Sequence, residues 1–128
     1  STLLSDLIHK GVVPVMAPLT HDGQGNMLNT NADTIAGETP TPLSAIFDVT
    51  VGYCFEKTGG LRDENDDESV IPQINHAEFQ RYIAEGVIQG GMIPKLENSF
   101  EAINAGVSEV VITLASAIHT DGGTRIKK

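Results

Sequence analysis

Two apolar periods alternate along this chain. Leu3, Leu4, Leu7 and Ile8 recur at helical spacing and predict a short amphipathic helix that stops at Gly11. Residues 12–16, Val-Val-Pro-Val-Met, form a continuous apolar run broken by Pro14. That run predicts a buried strand near a sheet edge, or a strand with a local irregularity. Residues 49–55, Val-Thr-Val-Gly-Tyr-Cys-Phe, predict a second strand, apolar enough to be central in a parallel sheet although Gly52 weakens it. A helix start follows at Asn75, where Asn75 caps, Glu78 completes the capping box and Ile74 can staple against Phe79. Phe79, Tyr82 and Ile83 then point inward until Gly86. Ile93, Leu96, Phe100 and Ile103 make the apolar stripe of a further helix, with Lys95, Glu97, Asn98 and Glu101 opposite and Gly106 just past its end. Residues 109–114 read as a third strand, and a turn through Asp121, Gly122 and Gly123 precedes a last short strand at Arg125 and Ile126. Strands alternating with helices imply an α/β layered domain with a mainly parallel sheet.

Composition narrows the function classes. The 128 residues suit one domain, and 40% apolar content leaves enough for a core, which must be aliphatic because aromatics are 5% and Trp is absent. A net charge of −9 argues against non-specific nucleic-acid binding and against an anionic membrane surface, so any phosphate site has to be local. The single Cys54 cannot form an internal disulfide and fits a reducing cytoplasm. With no signal-peptide pattern and no apolar run long enough to span a bilayer, the expectation is a cytosolic protein.

Candidate chemistry concentrates in a few places. Gly90 and Gly91 stand just before the Ile93 helix, where backbone N–H groups lack partners within the helix and a ligand can approach closely. Such a terminus favours an anion, and Lys95 in the early helix makes sense if a phosphate binds nearby. The same spacing also fits a glycine turn followed by a surface lysine, since the Walker pattern is absent. Asn29, Asn31 and Asp33 at alternate positions suggest a polar loop running into a helix N-terminus, which needs no role beyond capping. Pro40 and Pro42 are then expected to end or bend that helix, with a risk of displacing Asp33. The stretch at 21–26 is a turn, and Leu28 stands where a dinucleotide loop would need a third glycine. Residues 62–68 imitate an EF-hand start, but Glu68 replaces the required Gly, so a solvated loop is expected. His21, His76, Tyr82 and His119 are read as structural or surface residues.

Residues 86–95, Gly-Val-Ile-Gln-Gly-Gly-Met-Ile-Pro-Lys, resemble the G-(V/I)-I-x-G-G-M-x-x-K segment of the acetylglutamate kinases, within the amino acid kinase family. Residues 28–37, Leu-Asn-Thr-Asn-Ala-Asp-Thr-Ile-Ala-Gly, are similar to that family's N-x-N-A-D-x-x-A segment. The two stand in family order, and the likeness runs from about residue 5 to 128, over only the C-terminal, ATP-binding half of such an enzyme. It implies a three-layer αβα sandwich with a mainly parallel sheet over residues 1–128. By resemblance, Asn29 contacts the acylated amino-acid substrate, Asp33 orients the catalytic lysines and Lys95 neutralises the transferring phosphoryl group. Glu56, Lys57, Thr58, Gly59, Gly60 and Leu61 stand where the family has (S/T)-D-V-x-G-(V/I)-L and binds ATP, with Val87, Ile88 and Gln89 as further nucleotide contacts. A Gly-rich loop after a strand suits a nucleotide on general grounds too. The implied partners are ATP, Mg²⁺ carried by the nucleotide rather than by a protein metal site, and N-acetyl-L-glutamate or another N-acylated glutamate. A homo-oligomer is implied for the full-length enzyme. The departures are the prolines, Glu56 for an Asp, and Lys57 and Gly60 for apolar residues. A lysine and a Gly-Gly loop that the family carries near its N-terminus have no counterpart in these residues. The alternative reading is a nucleotide-binding or structural fragment without turnover of its own.

Overall fold

The computed structural model describes residues 2–127. Helix α1 (Thr2–His9) ends before Gly11 as its spacing predicts. Residues 12–16 then depart from expectation: they form no strand, and Val12, Val13, Val15 and Met16 are exposed. A hairpin follows, with β1 (Leu19–His21) antiparallel to β2 (Met27–Asn29). Its turn is held by the Asp22 carboxylate, which accepts from the side-chain amide of Asn26 at 2.6 Å and from the Gln24 N–H at 2.7 Å. These hydrogen bonds hold the Asp22 carboxyl below its ordinary value, the Asn26 bond contributing most.

Helix α2 (Ala32–Glu38) starts where the polar loop predicts, and the residue that caps it is Asn31, whose side chain accepts from the Asp33 N–H at 2.8 Å. The prolines do end this helix. Helix α3 (Pro40–Leu43) begins at once with a buried Pro40 at its first position, where the missing N–H costs nothing. Asp33, about two turns upstream of Pro40, keeps its place near the start of α2 and pairs with Lys95.

Strand β3 (Thr50–Phe55) pairs parallel with β4 (Glu109–Leu114), and β4 pairs antiparallel with β5 (Thr124–Lys127). The α/β architecture is as expected, but the sheet is mixed, in the order β3-β4-β5. The chain crosses from β3 to β4 through α4 (His76–Ala84) and α5 (Met92–Asn104), long enough for a parallel return. Between β4 and β5 there is only a 3-10 turn (Ala115–Ala117) and a loop, which is why the last strand comes back antiparallel. β3, expected to be central, is an edge strand among the described residues.

The capping box at Asn75 and Glu78 forms as read from the sequence, with hydrogen bonds of 2.9 and 3.0 Å. Phe79 and Tyr82 of α4 and Leu96, Phe100 and Ile103 of α5 pack on Val51, Tyr53, Val110, Ile112 and Ile126 of the sheet. Fully burying an aliphatic side chain such as Leu96 or Ile112 contributes roughly 1.5–3 kcal/mol. On β3 the burial alternates, with Val51 and Tyr53 inside and Thr50, Gly52 and Cys54 exposed. Among the described residues no helix is long and apolar enough to cross a membrane.

Candidate functional site

The loop that follows β3 is fixed from across the sheet by one hydroxyl. Thr124, fully buried on β5, accepts from the Gly60 N–H at 2.7 Å and donates to the Ile71 carbonyl at 2.7 Å. Ile71 returns its own N–H to the Gly60 carbonyl at 2.7 Å. Gly59 passes so close that a Cβ there would stand 2.6 Å from the Thr124 hydroxyl, which leaves no room for a larger residue. Gly123 is constrained as well: its φ is 99° and a Cβ would lie 2.6 Å from the Ile112 carbonyl oxygen.

Opposite this loop stands the N-terminus of α5. Gly91 occupies the N-cap without a side-chain capping bond, and Gly90 adopts φ 57°. A Cβ at either would meet nothing within 4 Å, so the backbone is open to an approaching group. Between loop and helix lies a cleft of about 350 Å³ lined by Phe55, Glu56, Lys57, Gly59, Gly60, Leu61, Glu64, Val87, Ile88, Gln89, Gly90, Gly91 and Met92. Every residue read as a nucleotide contact lines it except Thr58, which belongs to the same loop but is not part of the lining. Phe55, Glu64 and Met92 were not foreseen. Phe55 is legible afterwards as the last residue of the strand, whereas Glu64 is one of many acids in a charged loop. It pairs with Lys57, Oε1 to Nζ 3.3 Å, so the loop's ammonium carries its own counter-charge beside the cleft.

Next to the cleft, α2 and α5 bring together two residues 62 positions apart. The Lys95 Nζ lies 3.0 Å from one carboxylate oxygen of Asp33 and 3.2 Å from the other. It also stands over two rings of β3, 5.7 Å from the centroid of Tyr53 and 5.6 Å from that of Phe55. Phe55 thus touches both the cleft and the lysine. The Lys95 side chain is 15% exposed and Asp33 41%, so the pair is sheltered on the lysine side and open on the carboxylate side. The Tyr53 hydroxyl is buried with no hydrogen-bond partner among the described residues. Burial, and secondarily the charge of Asp33, push its pKa upward and keep it neutral. On the far side of Asp33 is a second cleft, about 320 Å³, lined by Thr34, Glu38, Asn98 and Glu101 among others.

Asn29 is less well connected. It sits exposed at the end of β2, opposite Leu19, outside both the cleft lining and the Asp33–Lys95 pair. His21 accepts from the Gly23 N–H, and His76 meets Phe100 edge to face, which fits their reading as structural residues. Among the described residues no group of three or more His, Cys, Asp or Glu could hold a metal ion. The arrangement as a whole offers a polyanion open backbone amides at a helix N-terminus and an ammonium held by a carboxylate.

Residues 1–114 match the model of the amino acid kinase family. The acetylglutamate kinase of Bacteroides fragilis is 94% identical over 128 residues, 100% of this chain and 49% of that protein. Among solved structures, smu.665 from Streptococcus mutans UA159 superposes with a TM-score of 0.76 at 30% identity, covering 98% of this chain and 47% of that one. A carbamate kinase from Giardia lamblia bound to AMP-PNP gives a TM-score of 0.67 at 17% identity over 99% of this chain and 48% of its own, a likeness of fold. The chain therefore spans about half the length of the curated relatives it matches.

Proposed function

The chain belongs to the amino acid kinase family, and on that premise we propose that it is the ATP-binding part of an N-acetylglutamate kinase. Such an enzyme transfers the γ-phosphoryl group of ATP to the γ-carboxylate of N-acetyl-L-glutamate in arginine biosynthesis, giving an acyl phosphate and ADP. The observation that carries the reading is Lys95, held by Asp33 beside a cleft that gathers the loop 56–61 and residues 87–91.

Phosphoryl transfer needs little covalent help from a protein; it needs alignment and charge stabilisation. In this reading Glu56, Lys57, Thr58, Gly59, Gly60 and Leu61 hold the nucleotide from one side, and Val87, Ile88 and Gln89 from the other. The open amides at Gly90 and Gly91 attract phosphate oxygens. The Lys95 ammonium offsets charge on the transferring group, and Asp33 keeps that ammonium charged and aimed. Asn29 is proposed to contact the acylated substrate. Mg²⁺ would ride on the nucleotide phosphates and neutralise their charge.

We infer further that these residues are the C-terminal half of the enzyme. What supports this is that the lysine and Gly-Gly loop expected near the family's N-terminus have no counterpart in the sequence. The residues encoded upstream of Ser1 test it directly. A homo-oligomer of the full-length protein in a reducing cytoplasm completes the reading, the first checked by sedimentation and the second by fractionation.

The half-length span also favours a second reading, a nucleotide-binding or structural fragment without turnover of its own. Titration with Mg-ATP, followed by a phosphorylation assay with N-acetyl-L-glutamate, separates the two when done on the chain alone and with the complementary half. Turnover on complementation supports the first reading, and binding without turnover in both states supports the second. Absence of ATP binding in both states overturns the first reading and leaves of the second only a structural fragment.

A further inference from the structure

Tyr53 and Phe55 stand two positions apart on β3, and the alternation of a strand puts both rings on the face that packs against the helices. Tyr53 is buried there, whereas Phe55, the last residue of the strand, is half-buried and lines the cleft. Lys95 comes down on them from the first turn of α5. Its Nζ lies over both rings, 5.6 Å from the Phe55 centroid and 5.7 Å from that of Tyr53. Both distances are inside the range of about 6 Å at which the negative face of a ring attracts a cation.

A carboxylate alone places such an ammonium poorly. Asp33 is 41% exposed, and an ion pair open to water contributes little and leaves the flexible lysine stem free to swing. The rings add what the carboxylate lacks. They exclude water from one side of the ammonium, whose side chain is 15% exposed. A ring face attracts the charge without acting as a strong hydrogen-bond acceptor. The N–H groups of Nζ that Asp33 does not take therefore stay available to another oxygen. The two rings differ in one respect: Tyr53 lies outside the cleft lining, whereas Phe55 belongs to it and supports Lys95 as well.

We propose that Phe55 is a positioning residue for Lys95. Its ring holds the ammonium by a cation–π contact and also forms part of the cleft wall, which fixes the charge beside a polyanion in the cleft. Phe55 acts through Lys95 and touches no reacting atom. The inference rests on the reading of this cleft as the nucleotide site of a phosphotransferase, but one arm of its test needs no turnover.

Three kinds of replacement are made in a full-length protein containing this chain. Phe55→Leu keeps an apolar wall without a π face, Phe55→Tyr keeps the face, and ring-fluorinated phenylalanines at position 55 keep the shape while draining negative charge from the face. The first readout is magnetic resonance of ¹³C-labelled lysine, with the Lys95 signal assigned through Lys95→Arg. Ring currents shift the Lys95 ε-methylene protons upfield; Phe55→Leu should remove much of that shift and Phe55→Tyr should keep it. The second readout is steady-state kinetics. In Phe55→Leu kcat should fall by about five- to thirtyfold while the KM for ATP stays within about twofold, and Phe55→Tyr should restore kcat. Across the fluorinated series log kcat should fall stepwise with each added fluorine. A Lys95 signal unmoved by Phe55→Leu overturns the proposal, whatever the activity. So does a raised KM for ATP with kcat kept, since Phe55 would then be a wall of the cleft and nothing more. If Phe55→Leu does not fold, the fluorinated series decides, and a kcat indifferent to the number of fluorines overturns the proposal. A wild-type protein that shows the shifted Lys95 signal without phosphorylating N-acetyl-L-glutamate keeps the Phe55–Lys95 contact and sinks only the functional reading.

Discussion

Thr124 uses both hydrogen-bonding directions of its hydroxyl inside the protein, one toward the cleft loop and one toward Ile71. Thr124→Val keeps the shape and removes the hydroxyl, leaving the Gly60 N–H and the Ile71 carbonyl each short of a partner. An unsatisfied buried group costs about 1–3 kcal/mol, so the thermal midpoint should fall and Thr124→Ser should restore most of it. Because the loop lines the cleft, the Val variant should also bind ATP more weakly, which calorimetric titration reads. Lys95 carries the second prediction at this scale. Lys95→Ala in the complete enzyme should lower kcat far more than it weakens ATP binding, because its charge matters most as the phosphoryl group transfers. An unchanged kcat in steady-state assays would remove Lys95 from the mechanism. Both Lys95 and Asp33 were legible because each sits in a short segment of recognisable residue types. Glu64 and the buried Tyr53 hydroxyl, without a partner among the described residues, were not, since their positions follow from how distant segments pack.

At the scale of elements, Pro40 shows how a local rule can be right while its consequence is wrong. Prolines end helices, and α2 does end at the expected place, but Pro40 opens a new helix instead of distorting the old one. Its fixed φ suits that position, so Pro40→Ala should lower stability modestly, by about 0.4–1 kcal/mol, rather than raise it. Chemical denaturation of the variant checks the sign. The β4–β5 pairing supplies a pH dependence. Burial alone would raise the Glu109 pKa, but hydrogen bonds from Arg125 and Lys127, at 3.1 and 3.2 Å, outweigh it and bring the value below 4.5. With a lowered folded value, this stabilisation is present above the unfolded pKa and is lost as pH falls through the folded one. Stability below about pH 4.5 should therefore decline less steeply in Glu109→Gln, as followed by denaturation at stepped pH. The β4 and β5 strands, both long helices and the capping box were legible because their period or end signals are strong. The hairpin strands were not, as three residues are too few to show an alternation.

For the molecule as a whole, the sequence pattern of residues 12–16 and of β3 describes a larger sheet than these residues build. A buried-type run is exposed and a central-type strand lies at an edge among the described residues. Lys95 and Asp33 pair beside a cleft that Gly90 and Gly91 help to line, and in our reading they form one wall of a phosphate clamp. The wall that would align the acceptor carboxylate is, in our reading, carried by the other half. Alignment of two reactants is worth about 7–11 kcal/mol of barrier lowering, so its loss alone puts turnover below detection. Residues 1–128 alone should bind Mg-ATP weakly, because one wall of contacts remains, and should show no phosphorylation of N-acetyl-L-glutamate. Calorimetry and a coupled ADP assay on the purified chain measure the two halves of this prediction. Measurable turnover, free of contaminating full-length kinase, would show that the acceptor is aligned by residues already present, with Asn29 the first to substitute.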